Sequence, residues 1–326
     1  MSLLEVKNLT VQLLTKNGYA TAIDDLTFSV NSGEILGIAG ESGSGKTMTA
    51  LSLLGLLPAH AKVSGSILFN SRELVGINRK ELQSVRGKEI AMIFQDPMTS
   101  LHPMLTVKVQ MTEHMTHHLG ISEYQAIKEA EELLAEVRIP DPTKALNAYA
   151  GQFSGGMRQR ICIAMALACK PKLLLADEPS TALDVTVQAG ILTLLNRLRT
   201  ERNLSIMFIT HDLGVLSSIT DRLLVMYAGR EVESGKTTTL LQNPRHPYTR
   251  GILDSLPDAD SGEKSLKSIA GFPPELGKQP LGCAFSERCP YALEDCSKHK
   301  ISPSVQADSH RYFCPVDPLS KLSSSL

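Results

Sequence analysis

The sequence predicts an α/β fold, on three observations: a strand–loop–helix unit near residue 40, a second apolar run ending in Asp177-Glu178, and a charged helical stretch between them. Ile35-Leu36-Gly37-Ile38-Ala39 is compact and apolar, as a strand buried on both faces should be. It leads directly into the glycine-rich stretch Gly40 to Thr47, and Met48 to Leu57 reads as helix. Lys172 to Ala176, Ser205 to Thr210 and Leu223 to Tyr227 repeat the short apolar pattern, so strands and helices alternate.

Two further regions flank this core. The opening 70 residues read as strands, because Leu4 to Leu9 and Ala22 to Val30 alternate apolar with polar residues and Gly65 to Phe69 resembles another strand. From about residue 96 to 151 the character changes. Ser122 to Val137 is amphipathic, with Ala126, Ala130, Leu133, Leu134 and Val137 at helical spacing, which predicts a helical subdomain inserted in the core. A first domain over 1–243 is expected, followed by a Pro- and Cys-rich extension over 244–326.

With 42% apolar and 21% charged residues, the chain has the composition of a well-cored globular protein. A net charge of -1 gives no electrostatic case for nucleic acid as a partner. No run of 18 apolar residues occurs, and Met1 to Lys7 lacks the basic and apolar regions of a secretory signal.

Gly40-Glu41-Ser42-Gly43-Ser44-Gly45-Lys46-Thr47 matches G-x-x-x-x-G-K-[ST]. Its glycines let consecutive N–H groups point at phosphate oxygens, Lys46 reaches the β- and γ-phosphates, and the Thr47 hydroxyl ligates Mg²⁺. Asp177 ends a buried strand, where a carboxylate can hold the ion or its water shell, and Glu178 follows as a candidate base for the attacking water. Ser154-Gly155-Gly156 opens a helix running to about Cys169. Ser154 suits an N-cap, and paired glycines in a first turn, each costly to a helix, leave its N–H groups open to a phosphate.

These motifs together resemble the ATP-binding subunits of ABC transporters. Phe153-Ser154-Gly155-Gly156-Met157 is similar to the family's signature sequence, Gln95 to its Q-loop glutamine, Ser180-Thr181-Ala182-Leu183-Asp184 to its D-loop, and His211 to its switch histidine. The resemblance implies a P-loop ATPase with a RecA-like core. It also implies that Tyr19 stacks on adenine, that Gln95 touches Mg²⁺ and the attacking water, and that His211 contacts the γ-phosphate. Ser154, Gly155, Gly156 and Asp184 then serve a nucleotide held by another subunit. Without the resemblance, Tyr19 reads equally well as a surface residue on a hairpin, and His211 as a strand-end histidine.

Asp96-Pro97-Met98-Thr99-Ser100-Leu101-His102-Pro103 and Arg245-His246-Pro247-Tyr248-Thr249 resemble the dipeptide, oligopeptide and nickel importer branch, although His102 stands where the branch more often has Asn. Gly282-Cys283-Ala284-Phe285 and Arg288-Cys289-Pro290-Tyr291-Ala292 are typical of it too. Membership implies ATP-driven closure of two nucleotide domains, the second on a paralogous subunit. It also implies two membrane-spanning permease subunits, an extracytoplasmic binding protein acting indirectly, and a peripheral position on the cytoplasmic face of the membrane. The resemblance points to import of di- or oligopeptides, with nickel import or a soluble ATPase acting on nucleic acid or ribosomes as the alternatives.

Cys162 and Cys169 lie in an apolar helical stretch, where free Cys is a small buried hydrophobe. Cys283, Cys289, Cys296 and Cys314 are spaced C-x₅-C-x₆-C-x₁₇-C. Four thiolates suit a [4Fe–4S] cluster or tetrahedral Zn²⁺, and the lack of a short C-x₂₋₄-C pair weakens zinc. Similar extensions in peptide importers hold [4Fe–4S], so the resemblance implies that cluster, as a structural staple for a segment with little core of its own.

Overall fold

The computed structural model describes residues 2–179, 184–256, 268–306 and 309–317. The chain divides into two compact units, one of Asn31–Glu34 and Gly76–Ile209, the other of Ser2–Val30, Ile35–Val75 and residues from Thr210 onward.

In the first unit three strands run parallel, Ile90–Ile93 beside Leu173–Asp177 and Leu173–Asp177 beside Ser205–Ile209. All five residues of the central strand are buried, which explains its unbroken apolar run. Helices Val107–Leu119 and Glu123–Glu136 occupy the region expected to be helical. Ser122 caps the second through the Gln125 N–H, and Ala126, Ala130, Leu133 and Leu134 form its buried face. Gly155–Leu167 follows, and then Val185–Arg202, capped by Asp184 through the Val187 N–H at 2.9 Å.

The second unit holds two sheets. One is antiparallel, in the order Gly18–Asn31, Ser2–Thr15, Lys62–Phe69, Arg72–Glu73. Its first two strands are longer than their alternation suggested, because they continue into one hairpin that turns at Gly18, φ 104. In the other sheet Ile35–Ala39 lies parallel to Arg222–Tyr227, which pairs antiparallel with Arg230–Lys236. Arg311–Tyr312 then adds to Arg230–Lys236, and Ser304–Val305 to Arg311–Tyr312.

Arg230–Lys236 was not expected as a strand, since its sequence is largely polar. Its buried carboxylates are satisfied from the C-terminal segment. Arg311 pairs with Glu231, and His310 Nε2 lies 2.7 Å from Glu233 Oε1. Glu233 also accepts the N–H groups of Arg245 at 2.7 Å and His246 at 3.0 Å, so one carboxylate joins the sheet to the start of helix Pro247–Asp254. The extension therefore completes a sheet instead of forming a core of its own.

Candidate active site

The phosphate loop begins where strand Ile35–Ala39 ends. Gly40 adopts φ 150, and a Cβ there would stand 2.3 Å from the Met226 carbonyl oxygen, so only glycine fits. Gly43 and Gly45 also take positive φ, curling the backbone into a cradle that ends at helix Lys46–Leu53. Gly45 is the residue before that helix, and no side chain caps its first turn. Ser44 Oγ is buried without a hydrogen-bond partner among the described residues. Open helix N–H groups and an unsatisfied hydroxyl are what an incoming phosphate would complete. Lys46 is buried, and its ammonium donates to the carbonyls of Gly40 at 2.7 Å and Glu41 at 2.9 Å, across the loop. Ser42 and Thr47 are exposed, Thr47 in the first turn of the helix.

Two more expected residues belong to the same unit. Tyr19 is half-exposed beyond the hairpin turn, and the Lys62 ammonium lies 3.8 Å from its ring centroid. One face of the ring is thus already engaged by a cation. His211 is exposed, between strand Ser205–Ile209 and helix Leu213–Ile219. The next residue, Asp212, caps that helix by accepting the N–H groups of Gly214 and Val215.

The other unit carries the carboxylates. Asp177 is buried at the end of its strand. Glu178 departs from the strand at φ 46, in the left-handed region that non-glycine residues seldom occupy, and its N–H donates to the Ile209 carbonyl at 2.8 Å. That bend turns its side chain to Gln95, whose Nε2 donates to Glu178 Oε2 at 3.0 Å. The structure thus brings together two residues 83 positions apart in sequence.

Ser154 accepts the Met157 N–H at 3.3 Å, as the expected N-cap of helix Gly155–Leu167. Gly155 is exposed. Gly156 has a packing reason of its own, because a Cβ there would stand 2.8 Å from Val187 Cγ1 on helix Val185–Arg202. Asp184 is described, as that helix's cap, while Ser180-Thr181-Ala182-Leu183 of the D-loop lie outside the described residues.

Sequence reasoning missed three residues around the phosphate loop. Glu41, a variable position of the motif, donates its N–H to Tyr248 Oη at 2.8 Å. Its carboxylate accepts from Arg288 Nη1 at 2.8 Å and Nη2 at 3.1 Å. Tyr248 stacks edge-on with Tyr227, ring centroids 4.6 Å apart, and Phe285 closes the cluster. The Arg245 to Thr249 motif was the available signal, but it pointed to a family and not to a contact.

Cys283, Cys289, Cys296 and Cys314 all line one small cavity, together with His246 and Tyr291. Gly282 allows the close turn, since a Cβ there would stand 2.2 Å from the Cys296 carbonyl oxygen. All four thiols are free. Even so, no group of three or more His, Cys, Asp or Glu among the described residues is arranged to hold a metal ion. The four cysteines expected to hold [4Fe–4S] or Zn²⁺ thus share a cavity, but the expected metal-binding group is not found among the described residues. Burial favours the neutral thiol, pushing Cys283 up to about 12 and raising Cys289 and Cys314.

A family model described as "ABC transporter" matches residues 23–181, and one described as "Oligopeptide/dipeptide transporter, C-terminal region" matches residues 232–296. The oligopeptide transport ATP-binding protein OppD of Haemophilus influenzae is 49% identical over 94% of this chain and 94% of its own. The dipeptide transport ATP-binding protein DppD of Bacillus subtilis is 46% identical over 95% of this chain and 93% of its own. Among solved structures, a dimeric post-hydrolysis state of the ATP-binding cassette MJ0796, bound to ADP and Pi, matches with a TM-score of 0.64 and 27% identity. That match covers 72% of this chain and 98% of the cassette.

Proposed function

The chain belongs to the ABC transporter family, and from that premise we infer that it is the ATP-binding and ATP-hydrolysing subunit that powers a peptide importer. The observation that carries this is identity of 46–51%, across nine-tenths or more of this chain, with transport ATP-binding proteins named for oligopeptides and dipeptides. The cargo assignment rests on those names. The ATPase reading rests also on the phosphate loop and on the Gln95–Glu178 pair.

In this reading the loop from Gly40 to Lys46 holds the β- and γ-phosphates, and Tyr19 supports the adenine after Lys62 shifts or from the opposite face. Thr47, Gln95 and Asp177 are the Mg²⁺ residues, and the ion would neutralise developing phosphate charge. Glu178 accepts a proton from the attacking water, Gln95 orients the two, and His211 contacts the γ-phosphate. Ser154, Gly155, Gly156 and Asp184 face a nucleotide held by a second ATPase subunit, a paralogue in this proposal. ATP-driven closure and hydrolytic release of that pair then move two permease subunits, supplied by an extracytoplasmic binding protein. Among the described residues no helix is long and apolar enough to cross a membrane, and a peripheral position on the cytoplasmic face is part of the same proposal.

For the four cysteines we propose a shared [4Fe–4S] cluster, with Zn²⁺ as the alternative, acting as a staple for the extension. Support comes from their convergence on one cavity. Iron and acid-labile sulfide in protein purified without oxygen would bear this out, whereas zinc alone or no metal would overturn it.

Purification of the tagged chain from membranes tests the main reading. Co-purification with two multispanning proteins, and ATPase activity raised by peptide-loaded binding protein in vesicles, is expected. Recovery with nucleic acid and no membrane partner would refute it, and stimulation by nickel in place of peptide would move the cargo to the other member of the branch.

A further inference from the structure

The phosphate loop is gripped from outside the motif at a single residue, Glu41. Its backbone N–H donates to Tyr248 Oη, its carboxylate accepts two hydrogen bonds from Arg288, and its carbonyl receives the Lys46 ammonium. Glu41 thus joins two C-terminal side chains to the lysine that the motif reserves for phosphate.

Arg288 is built for this contact. Nε donates to the Ala270 carbonyl, Nη1 to Glu41 and Tyr227 Oη, and Nη2 to Glu41 and the Ile269 carbonyl. All five N–H donors of the guanidinium therefore have acceptors. Its side chain is only 7% exposed, and the rings of Tyr227 and Phe285 flank it at 5.7 Å and 5.9 Å. Tyr248 is equally constrained, with a fully buried ring held between Tyr227 and Phe285. A surface ion pair contributes little because its partners are free to wander, and neither partner here has that freedom.

We propose that Arg288 and Tyr248 are positioning residues for ATP, acting through Glu41 to hold the phosphate loop and Lys46 in the conformation that receives the β- and γ-phosphates. The extension is then part of the nucleotide-binding apparatus as well as a domain appendage. This rests on the reading of Gly40 to Thr47 as an ATP site. Preorganisation of this kind strengthens binding of nucleotide, and it leaves the hydrolytic step to Gln95 and Glu178.

The test is equilibrium titration of the full chain with a fluorescent ATP analogue, beside steady-state kinetics of the assembled transporter. Arg288→Ala is expected to raise Kd and KM for ATP about tenfold, the loss of one charge-assisted pair, with kcat at saturating ATP little changed. Arg288→Lys should recover only part of this, because an ammonium lacks the five-donor fork. Glu41→Gln keeps the shape of the loop and should shift Kd in the same direction by less, which guards against misfolding of the alanine variant. Arg288→Ala combined with Glu41→Ala should be no worse than the weaker single variant. Arg311→Ala is the control, since it loosens the extension at Glu231 without touching the loop. Unchanged Kd in folded Arg288→Ala, or an equal loss in Arg311→Ala, would overturn the proposal. Failure of the unaltered chain to bind the analogue would instead refute the ATP site itself.

Discussion

Gln95 Nε2 donates to Glu178 Oε2 at 3.0 Å, so a residue two positions beyond one parallel strand is hydrogen-bonded to the residue that follows its neighbour. The relationship depends on backbone strain. An extended residue at 178 would continue the strand, whereas φ 46 turns its side chain out of the sheet. Asp177, one position earlier, stays buried in the strand. Adjacent carboxylates are thereby given different surroundings, a condition for giving them different chemical roles.

Glu178→Gln is expected to keep this geometry, because the amide oxygen can still accept from Gln95, while removing the base. Turnover should fall about 10²–10⁴-fold, the usual contribution of a positioned base. ATP affinity should change little. Phosphate release measured beside equilibrium ATP binding checks both, and near-normal turnover would remove Glu178 from the role of base.

The sign of Gly156→Ala distinguishes two explanations of that glycine. If Gly156 only left space for a ligand, alanine would stabilise the helix by about 1 kcal/mol. The 2.8 Å approach to Val187 Cγ1 predicts the reverse, a loss of about 1–3 kcal/mol from overpacking. Val187→Ala in the same chain should recover much of it. Denaturant midpoints of the three variants decide the matter, and a stabilised single variant would disprove the packing explanation.

Glu233→Ala should be among the most damaging substitutions outside the nucleotide site. It strips the acceptor from the N–H groups of Arg245 and His246 and from His310, all buried. A loss of about 3–5 kcal/mol is expected, as for other broken buried pairs. Limited proteolysis should then release fragments from the C-terminal segment before the rest of the chain. A loss below about 1 kcal/mol would mean that water replaces the carboxylate at little cost.

Burial lowers the pKa of His114 from its ordinary 6.5, with a smaller opposing pull from Glu113. Its Nε2 lies 3.3 Å from the Met165 carbonyl, a contact made by the neutral ring donating. Because the folded pKa lies below the unfolded one, the unfolded chain binds the proton more readily. The stabilising effect is complete above about pH 6.5 and is lost as pH falls below it, by at most about 1.4 kcal/mol per pH unit. Thermal unfolding from pH 7.5 to 5.5 should show Tm falling, with a shallower slope in His114→Gln. Identical slopes would show that other groups carry the acid sensitivity.

Local chemistry was legible in the sequence, and distant chemistry was not. Ser154 caps the helix that follows it as the sequence predicts, because a cap is settled within four residues. Strand Ile35–Ala39 and the phosphate loop could be read for the same reason. Arg230–Lys236 escaped because the partners that let Glu231 and Glu233 lie in a strand come 80 and 77 residues later. Gly156 was legible as unusual, but its neighbour Val187 was not. Glu41 was invisible for a different reason, since the motif leaves that position variable. The cysteines could be counted and grouped in the sequence, and the structure places all four on one cavity.

Arg288 follows Glu41 by 247 residues, and that interval has a meaning during synthesis. A ribosome adding about 5–20 residues per second needs on the order of 10–50 s to travel from one to the other. Throughout that time the nascent chain has a phosphate loop but not its Arg288 contact, and the Tyr248 contact becomes available only 40 residues earlier. If Arg288 braces the loop as proposed, chains released before residue 288 would share the defect and compete poorly for ATP.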